Sequence, residues 1–422
     1  MTLTAMKFPV VTLIAALASH LEASTVAQDL PHVGHLNFEG KFLVAISDAD
    51  MVSSAYADGL LGPIQGSDTL SVIRLSEHPS QWEASSVPVG NSVVGPPAAL
   101  AVTPDGQYAI VTETVGPRPA GNVSATMQDL PTSRNITVID LSDLDNPRVV
   151  QVLEVSINLR QSLYELRSGR LSLLSTPDIP GWTTGNLLMD ARFHTILNVL
   201  ALTDNSEPRL FFAEVVGTGD GISLKTWGNS VALERSPFSA KFSPNGEFVF
   251  SNAMYTGLGP EAPRGTISSI QLNASQDASG APQHSLVSRA QVGVMPEGLA
   301  ISPDGQWAVT ANLERSTPAL DSPDQGFFSS LSLLRVDTET GALDTVGTYA
   351  FDGILPEGVV FDTSSRFVAA TTFDQYDGRS PGGSIDFWRI SGDHADVNRI
   401  EFVKTSYSVP VTRGAHSISL VG

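Results

Sequence analysis

The sequence predicts an all-β fold, and three observations carry that prediction. Short apolar runs of about six residues, rich in Val, Ile, Phe and Ala, recur along the chain. Turns of Asp-Gly or Asn-Gly chemistry join them in pairs, glycine supplying the positive φ that such turns need. The paired unit also repeats. The stretch "PEGLAISPDGQWAVTAN" (296–312) returns as "PPAALAVTPDGQYAIVTE" (96–113), "PFSAKFSPNGEFVFSNAM" (237–254) and, with a worn turn, "PEGVVFDTSSRFVAATTFD" (356–374). A weaker copy is "LMDARFHTILNVLALTD" (188–204), and the starts at 237, 296 and 356 lie 59 and 60 residues apart.

A second pair of apolar runs follows each hairpin, as in "SLSLLRVDTETGALDTVGTYA" (330–350) and "GSIDFWRISGDHADVNRIEFV" (383–403). Four strands per repeat, arranged radially, define a β-propeller. Blades are expected at 96–154, 186–229, 237–292, 296–351 and 356–405. The stretch at about 155–183 supplies an outer strand pair with no matching inner hairpin, and reads as an irregular or truncated blade. The chain ends in "RGAHSISLVG" (413–422), an inner strand with no partner after it, whereas "KFLVAISD" (41–48) begins three strands that lack an inner one. Pairing the two closes the ring and removes its open edges. The expected fold is a seven-bladed propeller with one blade built from both termini. Six blades plus a long loop is the alternative.

Lys7 and the apolar run 8–18 precede small residues, the pattern of a secretory signal ending at Ala27. The expected organisation is therefore a signal peptide over 1–27 and a single propeller domain over 28–422. The product is expected to be secreted or periplasmic, monomeric and without a membrane span. The chain contains no cysteine, which excludes disulfides, thiolate metal sites and a cysteine nucleophile. A net charge of −20 disfavours nucleic acid as a partner. Nucleophile-elbow, Walker-type and H-E-x-x-H patterns are missing from the sequence.

Aligning the repeats by their turns places Glu297, Glu357 and His416 at one repeat position, one residue into the inner strand. Ala98, Met189 and Phe238 hold that position elsewhere. With the ring closed, the three stand side by side at one mouth of the channel as candidate catalytic residues. Close carboxylates raise one another's pKa, which suits acid–base work near neutrality. The ends of the second strands add polar groups on the same face, and Asn312, Asp374, Glu113 and Asp204 are candidate ligand-binding residues. Long connections at about 49–67, 114–133, 313–328 and 374–383 emerge there as well. Glu, Asp and Asn oxygens suit Ca²⁺ and His416 suits Zn²⁺, so a divalent cation is a candidate cofactor.

At "PEGLAISPDGQWAVTAN" and "PPAALAVTPDGQYAIVTE" the sequence resembles the YVTN-repeat and lactonase-like seven-bladed propellers. That group includes sugar-lactone hydrolases, a muconate cycloisomerase and many exported proteins. The resemblance implies a lactonase-like small-molecule site at one mouth of the channel, hydrolytic and with or without a metal. The alternative is a non-catalytic exported scaffold binding a protein or glycan through its long-loop face.

Overall fold

The computed structural model describes residues 36–75, 78–94, 99–118, 125–154, 163–167, 170–175, 188–204, 206–217, 223–235, 237–255, 261–378, 381–392 and 396–422. The proposed signal over 1–27 and its boundary lie outside these residues. Residues Leu36–Gly422 form one compact unit.

The unit is an all-β propeller in which each blade is an antiparallel meander from axis to rim. One blade combines Ala415–Val421, Phe42–Ser47, Thr69–Arg74 and Ala84–Pro88, in that spatial order. The next is Leu100–Val102, Tyr108–Thr112, Asn135–Asp140 and Arg148–Glu154. A third runs through Leu188–Phe193, Val199–Asp204, Arg209–Val216 and Ser223–Thr226, with Val231–Ala232 pairing to its third strand. The fourth is Pro237–Phe242, Phe248–Ala253, Arg264–Gln276 and Pro282–Val294. The fifth is Pro296–Ile301, Trp307–Asn312, Ser329–Val336 and Leu343–Phe351, and the sixth Val359–Phe361, Phe367–Thr372, Gly382–Gly392 and Ile400–Thr412.

The expectation of seven blades is therefore corrected to six. Between the second and third blades the described residues hold only a two-stranded hairpin, Leu163–Arg167 with Arg170–Ser175. The physical reason is in the sequence: 155–183 contains no apolar pair around an Asp-Gly or Asn-Gly turn, so it has no inner hairpin to offer.

The repeated turn has one chemistry throughout. Asp304 Oδ1 takes the Ser302 hydroxyl and the Gln306 N–H while Gly305 sits at φ 74°. Thr103, Asp105 and Gly106 repeat it, as do Ser243, Asn245 and Gly246. In the worn copy Ser365 occupies the left-handed position (φ 63°), and Asp362 Oδ1 instead receives the Arg366 and Phe367 N–H groups.

Apolar faces of neighbouring blades interlock to form the core. Trp307, Leu331 and Phe351 of the fifth blade pack with Phe361, Trp388 and Phe402 of the sixth. Leu43 and Trp82 of the closing blade pack with Phe367, Phe387 and Val409. The tryptophans thus serve as wedges between blades.

Ring closure is an antiparallel pairing between the two ends of the described unit, from Phe42 opposite Val421 to Ser47 opposite Ala415, with a bulge at His416 between Ile46 and Ser47. Its side chains enter two interblade clusters, Ala415 on one side and Val421 on the other. Deleting residues 415–422 leaves Phe42–Ser47 as an unpaired edge and opens both clusters. The expected outcome in urea unfolding is a loss of more than about 4 kcal/mol or of the cooperative transition itself. An unchanged midpoint contradicts the closure.

Candidate functional site: a buried carboxyl pair on the propeller axis

Each of the two Pro-Glu-Gly entries is built by the same local devices. The residue before the proline, Met295 or Leu355, carries a positive φ (52° and 51°). A bulky side chain in that region costs on the order of 1–2 kcal/mol, a strain that surrounding packing must hold. Both residues are buried in one apolar cluster. The glycine after each glutamate lets the next inner strand approach. A Cβ on Gly298 collides with the Glu357 carbonyl, and one on Gly358 meets the His416 carbonyl at 3.0 Å. Asn252 reaches across from the fourth blade, donating to the carbonyls of Pro296 (2.8 Å) and Glu297 (3.0 Å). The result sets Glu297, Glu357 and His416 on three successive inner strands.

The structure brings these three together. Glu297 and Glu357 hydrogen-bond to one another through their side chains. His416 Nδ1 lies 3.9 Å from Glu357 Oε2. All three are buried, at 3%, 2% and 0% exposure. Two further residues complete the cluster, and neither belongs to the repeat. The Tyr56 hydroxyl lies 2.8 Å from Glu357 Oε1 and 2.9 Å from the Val93 carbonyl, sharing its one proton between them. Asn91 donates from Nδ2 to the carbonyls of Ser47 and Val89, both at 3.0 Å. That fixes its Oδ1 as an acceptor, so His416 Nε2, 2.8 Å away, must donate.

Electrostatics then assign the protons. Burial drives the Glu297 carboxyl up from 4.5 to about 7, and the bond it accepts from Glu357 holds it partly down. Burial and the Glu297 charge push Glu357 well above the carboxylate range. Burial alone pulls His416 down to about 3. Glu357 is therefore the protonated member, Glu297 ionises near neutrality, and His416 is a neutral Nε2–H tautomer. The His416–Glu357 contact is not an ion pair. His416 Nδ1 keeps an open lone pair turned toward a neutral acid.

The long-loop face does not present this cluster openly. Residues 49–67 fold over it with a one-turn helix, Ala55–Asp58, that carries Tyr56. Met51, Ala55 and Leu61 of that loop pack on Val93, Met295, Leu313, Ile354, Leu355 and Phe373 as an apolar cap. Glu297 and Glu357 instead line an axial cavity of about 70 Å³ within the ring of inner strands.

The four expected ligand-binding residues stand elsewhere, each satisfying local structure. Asn312 is fully buried within its own blade, donating to Ser330 and Ser332 and accepting from Thr310. Asp374 pairs with Arg413 at 3.2 Å. Glu113 accepts from Ser133 and from Asn135 Nδ2. Asp204 accepts from the N–H and hydroxyl of Ser206. The structure brings none of them into the carboxyl cluster.

The residues able to hold a cation lie beside the site. Asp48, Asp50 and Asp68 each offer an oxygen, all within 4.8 Å of one another, at the two ends of the loop that carries Tyr56. An all-oxygen set fits Ca²⁺ better than Zn²⁺. Burial and the neighbouring Asp68 and Asp50 charges raise Asp48 well above its usual range, and burial brings Asp68 to about 7. Asp48 Oδ2 accepts the Val93 N–H at 2.9 Å, which links this group to Tyr56 through one residue.

Tyr56 and Asn91 carried no signal in the sequence, because both lie in connections outside the repeat. Arg192 and Lys241, which also line the cavity, did carry one: each follows an alanine at the same inner-strand position of consecutive blades.

No family model matches the chain, and no curated protein matches it. Solved structures do match in fold. A candidate 6-phosphogluconolactonase from Bacteroides uniformis is 13% identical, with a TM-score of 0.55 over 91% of this chain and 100% of that one. A protein from Lactobacillus plantarum is 12% identical, with a TM-score of 0.56 over the same shares. The periplasmic gluconolactonase of Pseudomonas aeruginosa is 12% identical, with a TM-score of 0.55 over 90% of this chain and 99% of that one. These likenesses establish the propeller architecture shared with lactonase-like proteins.

The carboxyl pair has a signature in stability. The folded pKa of Glu297 exceeds its unfolded value of 4.5, so the folded state holds the extra proton and loses stability as pH climbs from about 4.5 to about 7. Glu297→Gln removes that slope. Relative to the parent, the variant is expected to gain about 1–3 kcal/mol between pH 5 and pH 8 in urea unfolding. A stability difference independent of pH contradicts the proton assignment.

Proposed function

We propose that the chain is a lactonase-like hydrolase of small cyclic esters, with Glu297 as general base and Glu357 as general acid. The observation that carries this reading is the pair itself. Two carboxyls share a hydrogen bond, line one cavity and differ in protonation near neutral pH. That is the condition for one fold to supply a base and an acid together. Glu297 takes a proton from water as its oxygen bonds to the ring carbonyl carbon. As the tetrahedral intermediate collapses, the ring C–O bond breaks and the alkoxide takes the Glu357 proton. One water is consumed and a hydroxy acid results. Tyr56 orients Glu357, and neutral His416 lets Glu357 keep its proton because it brings no positive charge. The gluconolactonase among the structural relatives supports the reaction class by analogy of fold. Export through the N-terminal segment, secreted or periplasmic location and action as a monomer belong to the same proposal.

One observation favours a second reading, a scaffold that binds a protein or glycan. Leu60, Ile64, Leu320 and Phe327 stand 48–58% exposed on the long loops. Phe327 is held at φ 56° with its ring 5.7 Å from Tyr376. On this reading Phe327→Asp abolishes partner capture without changing the unfolding midpoint, and the parent turns over no lactone.

The hydrolase reading predicts that kcat/KM rises with pH through about 7 as Glu297 loses its proton. Glu297→Gln is expected to lower kcat at least ~100-fold, the usual contribution of a general base. A panel of five- and six-membered lactones, followed by acid release, checks both. Turnover by the Gln variant at the parent rate overturns the assignment.

A further inference from the structure

Among the described residues, the axial cavity holds two cations that the proposed chemistry does not use. Arg192 and Lys241 line it together with Ser239, Ser417 and Ser419. They occupy one repeat position in consecutive blades, in "MDARFHT" and "FSAKFSP", where the other blades carry Ala101, Ala300, Val360 and Ser419. Their inner strands, Leu188–Phe193 and Pro237–Phe242, are neighbours around the axis. Glu297 and Glu357 come from the next two inner strands. The cavity lining is therefore polarised, with cations contributed by one side of the ring and carboxyls by the other.

Among the described residues, neither cation is fully paired. Arg192 spends only its Nε, on Asp190 at 3.0 Å, and its two terminal nitrogens make no hydrogen bond to a described residue. Asp190 is committed in turn, accepting the Ala240 N–H at 3.0 Å. Lys241 makes no hydrogen bond or ion pair with any described residue. A half-buried amine with no carboxylate in contact with it is costly unless something pairs with it. In a chain with 44 acidic and 24 basic side chains, leaving this lysine unpaired at the axis runs against composition. The Ser239 hydroxyl is spent on the Glu297 carbonyl at 2.9 Å. That leaves the terminal guanidinium nitrogens, an ammonium and the Ser417 and Ser419 hydroxyls around one small cavity, a donor set that binds an oxyanion.

We propose that Arg192 and Lys241 form an oxyanion-binding subsite that anchors a small hydroxy acid, with the acid's hydroxyl end toward Glu297 and Glu357. This rests on the cavity of the proposed hydrolase and names its ligand class. It concerns binding only. The charges acting on Lys241 come from Arg192, which lowers its pKa, and Asp190, which raises it. Glu297, Glu357 and His416 lie on the other side of the ring. Burial together with Arg192 brings the amine down to about 7, so at pH 8 the free site is mostly deprotonated. Binding an oxyanion favours the ammonium, and complex formation above pH 7 therefore takes up a proton.

Calorimetry on the full chain at pH 8, in buffers of different ionisation enthalpy, tests this with sodium gluconate, inorganic phosphate and uncharged sorbitol. The expected result is binding of gluconate, none of sorbitol, uptake approaching one proton, and affinity that weakens as pH rises. Competition by phosphate shows that the oxyanion alone is recognised, and its failure shows that the carboxylate with its hydroxyl chain is required. Lys241→Met is expected to abolish proton uptake and weaken gluconate at least ~10-fold, and Arg192→Gln to weaken it with a smaller uptake, because losing the guanidinium raises the Lys241 pKa. If Lys241→Met fails to fold, Lys241→Arg decides: a side chain that is always charged is expected to bind gluconate without the uptake at pH 8, and uptake retained in that variant overturns the assignment to Lys241. Gluconate binding no tighter than sorbitol, or binding without proton uptake, overturns the subsite. Lactone turnover is measured on the same sample. Absent turnover with intact gluconate binding sinks only the hydrolase, and the converse sinks only the subsite.

Discussion

The arrangement depends on one strand pairing. The last strand, Ala415–Val421, lies against Phe42–Ser47, and everything at the axis follows from it. The pairing brings His416 beside Glu357. It also sets Asn91 and the Tyr56 loop, both from the closing blade's connections, around the same point. The glycine at 358 is small because the arriving strand presents the His416 carbonyl to it. Closure and site are thus one construction, since the residues that complete the carboxyl cluster come from the strand pair that completes the ring.

Burial does the electrostatic work. A carboxyl without solvent stays protonated unless something stabilises its charge, and here each acid interacts with the other. Glu357 keeps its proton because Glu297 gives it an acceptor and because neutral His416 offers no cation. The apolar cap built from Met51, Ala55, Leu61 and Phe373 keeps the long-loop side dry. Strain at Met295 and Leu355 is tolerated because both side chains are locked into that cap.

Much of this was legible in the sequence, for reasons that also explain what was not. Asp-Gly and Asn-Gly turns are local chemistry, so the hairpins and their blades could be read directly. Glu297, Glu357 and His416 were found because a repeat turns sequence position into radial position. The count of seven failed at 155–183, where the turn chemistry is missing and only one hairpin is described. Asn312, Asp374, Glu113 and Asp204 stand outside the carboxyl cluster for a common reason. A polar side chain at a strand end is satisfied first by its own blade, as the Asn312 amide, held by Ser330 and Ser332, shows. Tyr56 and Asn91 act across more than 300 residues of sequence, from connections that no repeat indexes. Arg192 and Lys241 obeyed the indexing rule that revealed the acids, at a position three residues closer to the hairpin turn.

The central claim is that the axis holds a carboxyl pair with one proton, on Glu357, across neutral pH. Carboxyl carbon chemical shifts of the isotopically labelled glutamates, assigned with Glu297→Gln and Glu357→Gln and followed from pH 4 to pH 9, test it most directly. The account predicts one buried carboxyl titrating near 7 and a second still protonated at pH 8. Two carboxyls that both ionise below pH 5 contradict it.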